Sequence, residues 1–132
     1  MTEPRIGTTA SGLKVATWAM SGVETVAVGL HADTGARFEA APLNGLAHLF
    51  EHMVFKGTQR RTARDIAEVV EDVGGQLNAW TSRDMTVFHG RFLARDLPLG
   101  LDVIADLVTG ARFDGEDLAR EKDVVLQELG EA

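Results

Sequence analysis

The chain has 132 residues, of which 45% are hydrophobic and 25% charged, and this composition is that of an ordinary globular protein with one domain and a core of its own. It contains no cysteine, which excludes a disulfide framework and thiolate metal ligands. The net charge of -7 argues against nucleic acids and anionic membranes as partners.

The sequence gives no indication of a membrane span or of export. No apolar run approaches the roughly 20 residues that a spanning helix needs. The first five residues lack the cationic and apolar pattern of a secretory signal, and also the Arg- and Ser-rich composition of a transit peptide. We therefore expect a cytoplasmic protein rather than one of the mitochondrial matrix.

The first part of the chain predicts two strands and a buried helix. The strands cover residues 13–20 and 24–31, joined by a turn at Ser21-Gly22, and apolar residues alternate in the second. Residues 33–43 are expected to form a loop. Residues 44–56 are apolar nearly all round, which predicts a helix buried on all sides that ends at Gly57.

Residues 62–73 predict an amphipathic helix with clear ends. Thr62 and Asp65 resemble a capping box, and Gly74 can terminate the helix. Its apolar stripe consists of Ile66, Val69, Val70 and Val73.

The remaining chain predicts a hairpin and two helices. The hairpin joins residues 76–81 and 85–92, and Asp96 caps a helix that reaches about Thr109 with Pro98 in its first turn. Asp114 caps the last helix. Strands and helices in this order predict an α+β fold, one domain over residues 1–132 with helices on one face of a mostly antiparallel sheet.

The most informative motif is His-Leu-Phe-Glu-His at residues 48–52. Histidines four apart on a helix project from one face, so that His48 and His52 can bind one metal ion. Glu51 points toward the same neighbourhood, where it can act on a water molecule. The flanking residues are apolar, and burying three ionisable groups there without partners would be costly. A metal ion would remove most of that cost.

The last predicted helix carries two glutamates on an apolar face, which is formed by Leu118, Glu121, Val125 and Glu128. Zinc needs a third protein ligand and an open position for water. If this face meets the histidine helix, one glutamate can bind the metal while the other holds a ligating imidazole. Without a metal, the same groups would form a buried hydrogen-bonded network. His31 and His89 fall in predicted strands, and we interpret both as structural.

Three blocks of sequence resemble the pitrilysin/insulysin superfamily of zinc peptidases, the inverzincins or family M16, and in particular its mitochondrial processing peptidase-like bacterial branch. The blocks are residues 45–58, 74–83 and 120–128, in the family's order and at a family-like spacing. Residues 35–39 resemble the family's loop before the motif. The resemblance covers essentially the whole chain.

The resemblance implies a role for each site residue. His48, His52 and Glu128 would bind zinc, and Glu51 would be the general base that activates the attacking water. Glu121 would be the carboxylate that supports a ligating imidazole. The implied activity is that of a zinc endopeptidase that hydrolyses peptide bonds in peptides or unfolded segments.

Asn78 and Ala79 lie where family members add the substrate as an extra strand. From the residues alone, the alternative is a plain strand end beside a Gly-Gly turn. The family often has a tyrosine near Phe88, whereas this chain has none. Any contribution from such a tyrosine is therefore absent here.

Family subunits are longer and have two related halves that clamp the substrate. The resemblance therefore implies only the N-terminal, zinc-binding region of such a subunit, whose partner would be a C-terminal half or a second subunit. Alone, the chain is expected to bind zinc with weak or no turnover and to be able to form homo-oligomers. The alternatives are a non-catalytic zinc-binding or interaction module that keeps the peptidase fold, and a domain stabilised by structural zinc.

Overall fold

The computed structural model describes residues 3–131 and consists of five strands and four α-helices. The strands are β1 (Arg5–Thr8), β2 (Lys14–Thr17), β3 (Thr25–Ala32), β4 (Gln76–Thr81) and β5 (Thr86–Leu93). The helices are α1 (Leu46–Val54), α2 (Ala63–Glu71), α3 (Leu97–Gly110) and α4 (Gly115–Glu131). Short 3₁₀ turns occupy Ala36–Phe38, Ala41–Leu43 and Ala94–Asp96.

The main sheet has the order β3-β5-β4, and both pairings are antiparallel. Helices α1 and α2 contact β4, and α3 contacts β3 and β5, while the outward-facing residues His89 and Arg91 of β5 are exposed. The α+β fold with helices on one face of an antiparallel sheet is therefore confirmed.

The core lies between this sheet and the helices. Phe88 and Phe92 of β5 are fully buried there, and α1 contributes Val54. The other buried members are Ile66, Val70, Ala79, Val103, Ile104 and Leu107. The predicted stripe of α2 thus faces the core, and the predicted hairpin of β4 and β5 is confirmed.

The predicted pairing of the first two strands is wrong. Strand β2 pairs with β1, a strand that was not predicted, and the two form a separate antiparallel sheet. A tight turn between Thr9 and Leu13, with Gly12 at a φ of 88°, closes this hairpin locally. The β3 strand instead pairs with the distant β5 because its apolar face can be buried only against the core.

Helix α1 is shorter and less buried than predicted. It spans Leu46–Val54, of which only Met53 and Val54 are fully buried, and Leu46 is 51% exposed. The helix contacts β4 on one side and α4 on another, which leaves its remaining surface open. The preceding loop also contains two 3₁₀ turns that were not predicted.

The predicted helix starts are mostly confirmed. Thr62 and Asp65 form the capping box of α2, and the Asp114 side chain accepts hydrogen bonds from the first turn of α4. Asp96 occupies the N-cap position of α3, but its side chain makes no capping hydrogen bond and lies 3.7 Å from Arg95 instead. None of the helices in residues 3–131 has the length and apolar character that crossing a bilayer requires.

Candidate metal centre

Helix α1 brings the two motif histidines together. His48 and His52 are four residues apart, one helical turn, and their rings meet edge to face with centroids 4.7 Å apart. The two Nε2 atoms are 3.2 Å apart. Both side chains are partly exposed, so the pair lies at the surface rather than deep in the core.

Helix α4 supplies a carboxylate to the same point. The Glu128 Oε2 atom lies 3.3 Å from His48 Nε2 and 3.6 Å from His52 Nε2. One atom from each of these three residues therefore converges in a triangle, with all three atoms within 4.8 Å of one another. The predicted meeting of the α4 glutamate face with the histidine helix is present.

The triangle has the dimensions of three of the four ligand positions of a tetrahedral zinc site. Zinc binds imidazole nitrogen and carboxylate oxygen at about 2.0–2.1 Å, so tetrahedral ligands lie about 3.3 Å from one another. The three separations, 3.2, 3.3 and 3.6 Å, match this value. Two imidazoles and one carboxylate with a fourth position open are also the donor set of catalytic zinc sites. The residues present therefore fit the metal.

Glu121 contacts His52 at the ring nitrogen that does not face the triangle. Its Oε2 atom is 3.0 Å from His52 Nδ1, and its Oε1 atom is 2.7 Å from the Lys56 ammonium. Because an ionised carboxylate only accepts hydrogen bonds, His52 donates from Nδ1 and keeps its Nε2 lone pair toward the triangle. Glu121 thus fixes the ring's orientation and tautomer.

The charge state of Glu121 follows from the same contacts. Burial of this side chain, which is 9% exposed, opposes ionisation, but hydrogen bonds from Lys56 and His52 outweigh it and hold the pKa of Glu121 below its ordinary value. Lys56 had no assigned role in the sequence. The sequence signal that could have pointed to Lys56 is its position just after an apolar helix and one turn past His52.

Glu51 lies on α1 between the two histidines and is half-buried. It does not belong to the converging triangle. Within residues 3–131, its carboxylate has no hydrogen-bond or ion-pair partner. The structure thus gives Glu51 surroundings unlike those of Glu121 and Glu128.

Asn78 and Ala79 lie on β4, the edge strand of the main sheet that also contacts α1. The Ala79 N–H donates to the Asn78 side-chain oxygen at 2.8 Å rather than to a neighbouring strand. Asn78 is exposed and Ala79 is buried. His31 and His89 are exposed residues of β3 and β5 and do not belong to the triangle.

Comparison with known proteins relates the chain to a family of peptidases. A family model described as Insulinase (Peptidase family M16) matches residues 14–132. A probable mitochondrial-processing peptidase subunit beta of Arabidopsis thaliana is 44% identical over 129 residues, which are 98% of this chain and 24% of that protein. An uncharacterized zinc protease of Streptomyces coelicolor is 39% identical over 118 residues, or 89% of this chain and 26% of that protein.

The crystal structure of a protease from Helicobacter pylori superimposes with a TM-score of 0.90 and 26% identity, covering 97% of this chain and 31% of that one. The chain thus spans about a quarter of the length of these two curated relatives. The family match over most of its length identifies the chain as a member of the insulinase family of peptidases, M16, on the mitochondrial processing peptidase-like branch.

Proposed function

We propose that this chain carries the zinc centre of an endopeptidase that hydrolyses peptide bonds in peptides or unfolded segments. The observation that supports this most is the convergence of His48 Nε2, His52 Nε2 and Glu128 Oε2 at separations of 3.2–3.6 Å. The relatives named zinc proteases agree with this metal.

In this proposal, His48, His52 and Glu128 hold the metal, and Glu121 orients His52 through its Nδ1 atom. When bound, zinc supplies Lewis acidity, which polarises a carbonyl group and makes water acidic enough to ionise near neutral pH. The Glu51 carboxylate takes one proton from the attacking water. The water oxygen adds to the scissile carbonyl carbon, the C–N bond breaks, and Glu51 delivers its proton to the leaving nitrogen.

We further propose that the edge of β4 at Asn78 and Ala79 binds the substrate as an added strand. An unpaired edge offers backbone groups that pair with any extended peptide, which gives affinity without strict sequence demand. The Ala79 N–H is held by Asn78 alone, and a substrate carbonyl would compete for it. The contact of β4 with α1 keeps this edge beside the histidine helix.

The whole enzyme requires more protein than this chain. The chain covers 24–26% of the two curated relatives described above, and the triangle is open to solvent, with the Glu128 side chain 48% exposed. We propose that a C-terminal half or partner subunit encloses the site and helps to hold the substrate. The isolated chain would then be a zinc-binding module with weak or no peptidase activity.

The first experiment is zinc content per chain, measured by metal mass spectrometry after exhaustive dialysis. Wild type is expected to retain roughly one zinc per chain, as a site with three protein ligands does. His48→Ala should lower the affinity by more than the roughly 10–100-fold that loss of a supporting partner costs. His89→Ala is the matched control, because it removes an exposed histidine outside the triangle.

A folded wild-type chain that takes up no zinc at any loading would overturn the proposed metal centre. Equal loss of zinc in His48→Ala and His89→Ala would point to adventitious binding by surface histidines. Release of fluorescence from a quenched peptide by the isolated chain at ordinary peptidase rates would contradict the expectation that further protein is needed.

A further inference from the structure

Helix α1 begins without a capping side chain of its own. Its N-cap residue is Gly45, in the left-handed region at a φ of 92°, and no side chain at that position can accept a hydrogen bond. The first turn of any helix has N–H groups without intrahelical partners. In α1 this turn includes His48, the third residue of the helix. Fraying here would move one corner of the triangle directly.

Glu39, which lies outside the helix, accepts hydrogen bonds from two of the N–H groups at the start of α1. Its Oε2 atom accepts from the Gly45 N–H, and its Oε1 atom accepts from the Ala47 N–H, both at 2.6 Å. A carboxylate that accepts two short hydrogen bonds at a helix N-terminus is also favoured by the helix dipole. The contact is partly buried, so water competes for it only partially.

Glu39 is the last residue of a short segment, residues 35–39, which we call the brace. The brace lies against the turn between β4 and β5. The Ala36 N–H donates to the Ser82 carbonyl at 3.1 Å, and the Arg37 N–H donates to the Arg83 carbonyl at 2.9 Å. The Arg37 guanidinium pairs with Asp84 at 2.7 Å.

Gly35 permits this close approach. A Cβ atom at Gly35 would lie 2.5 Å from the Ser82 carbonyl oxygen and 2.7 Å from the Met85 nitrogen, both of them backbone atoms that cannot move aside cheaply. The brace is therefore seated on the sheet at one end and bonded to the first turn of α1 at the other. Through the brace, the sheet fixes where α1 begins.

We propose that Glu39 is a positioning residue of the metal centre, which keeps His48 in the ligating triangle by fixing the first turn of α1 to the main sheet. This inference rests on the proposed zinc function. The two histidines differ in how they are held: His52 Nδ1 is bonded to Glu121, whereas within residues 3–131 the Nδ1 atom of His48 has no such partner and His48 lies in the first turn that Glu39 holds. Loss of Glu39 should therefore loosen His48 and leave His52 in place.

The test compares Glu39→Gln and Glu39→Ala with wild type and with Glu71→Gln, a control that removes the same charge from an exposed position on α2. Zinc affinity is measured by competition with a chromophoric chelator, well below the melting temperature of each variant. We expect affinity about tenfold lower in Glu39→Ala, less reduced in Glu39→Gln, and unchanged in the control.

Two further readouts separate positioning from plain stability. Amide exchange at Gly45 and Ala47 should accelerate in both Glu39 variants, and the absorption spectrum of bound Co²⁺ should change as its ligand geometry loosens. Variants that melt earlier but keep wild-type zinc affinity and Co²⁺ spectrum would reduce Glu39 to a structural residue and overturn the inference alone. A wild-type chain that binds neither metal would overturn the proposed function together with it.

Discussion

The carboxylates around the histidine motif differ in their partners. Glu121 is bound on both sides, by Lys56 and His52, and Glu128 lies against both Nε2 atoms. Glu51 has no such partner within the part of the chain that the structure describes. A group that must accept and return a proton needs freedom of this kind, whereas a ligand or a supporting group needs to be held.

Glu51→Gln should therefore separate chemistry from metal binding. Because Glu51 does not belong to the converging triangle, the variant is expected to keep wild-type zinc content. In a complex or longer protein that includes the proposed C-terminal half or partner subunit, peptide hydrolysis should fall by roughly 10²–10⁴-fold, the usual contribution of a general base. The pair of measurements is zinc per chain and initial rate on a quenched peptide, with Glu116→Gln as the exposed control. Zinc loss equal to that of His48→Ala would instead make Glu51 a ligand.

Some residues of the candidate site follow from sequence and others do not. The positions of His48 and His52 follow from helical spacing, and the shared face of Glu121 and Glu128 follows from the same rule. Helical spacing does not say that Lys56 reaches Glu121 or that Glu39 reaches across a loop to Gly45. These contacts depend on how separate elements pack, and spacing within one element carries no information about that.

At the scale of elements, the loop after α1 is anchored to α3 by charge. The Thr58 hydroxyl and the Arg61 guanidinium both donate to Asp106, which is buried. Arg61 and Arg60 also donate to Asp102. This network ties the segment after α1 to α3, a core helix.

Asp102 gives the network a defined pH dependence. Hydrogen bonds from Arg60 and Arg61 lower its pKa from 3.8 to about 2. A depressed native pKa means stability that is fully present above about pH 3.8 and is lost as pH falls toward 2. With the side chain 43% exposed, solvent screening keeps this contribution to about 1 kcal/mol or less.

Urea unfolding of Asp102→Asn and wild type across this range tests the assignment. The difference between their free energies of unfolding should be largest near neutral pH and shrink as the pH falls below about 4. Asp33→Asn, an exposed aspartate, should give a small and nearly constant difference. A constant difference for Asp102→Asn would mean that its carboxylate contributes no pH-dependent stability.

The packing of α3 on the sheet depends on glycine. The Phe92 ring, 2% exposed, lies between Gly75, Gly90 and Gly100, and a Cβ on any of them would come within 2.5–2.6 Å of it. Gly100→Ala would gain about 1 kcal/mol of helix propensity. The enclosed ring cannot yield, and overpacking costs typically about 1–3 kcal/mol. Net destabilisation is expected.

Thermal or urea unfolding of Gly100→Ala shows whether the gain in helix propensity or the cost of overpacking is larger. The control is Gly130→Ala in α4, where a Cβ would meet nothing within 4 Å, so that only the propensity gain of up to about 1 kcal/mol remains. If Gly100→Ala lowers the free energy of unfolding and Gly130→Ala raises it, the close packing of Gly100 against the Phe92 ring is established. A stabilised Gly100→Ala would mean that the Phe92 ring shifts at little cost.

At the scale of the whole molecule, the sequence predicted the layer of helices on an antiparallel sheet but not how the first strands pair. Residues 76–92 carry their own turn, and the pairing of β4 with β5 is local. The partner of β3 lies far along the chain, and the alternation of Val26, Val28 and Leu30 identifies a buried face without naming the strand beside it. Strand β1 has only four residues, one of them glycine, which is too little for a periodic pattern.

This topology predicts uneven stability. Strands β1 and β2 pair with each other and are exposed along their whole length, with Ile6 78% exposed, whereas β5 is paired on both sides over the core. A lone two-stranded hairpin is marginally stable in water. Amides of β1 and β2 should therefore exchange with solvent at least about 100-fold faster than those of β5, as measured by NMR or mass spectrometry.

The same exchange measurement, repeated at several protein concentrations, also tests self-association. If exchange in the hairpin is fast in dilute solution and slows as the protein is concentrated, its exposed apolar side chains are being covered by a second copy, which agrees with the expected ability to form homo-oligomers. Exchange that is fast at every concentration would show that a second copy of the chain does not cover the hairpin. Its partner would then be a different protein. Slow exchange even in dilute solution would contradict the prediction, because it would require the hairpin to be held by the chain's own core.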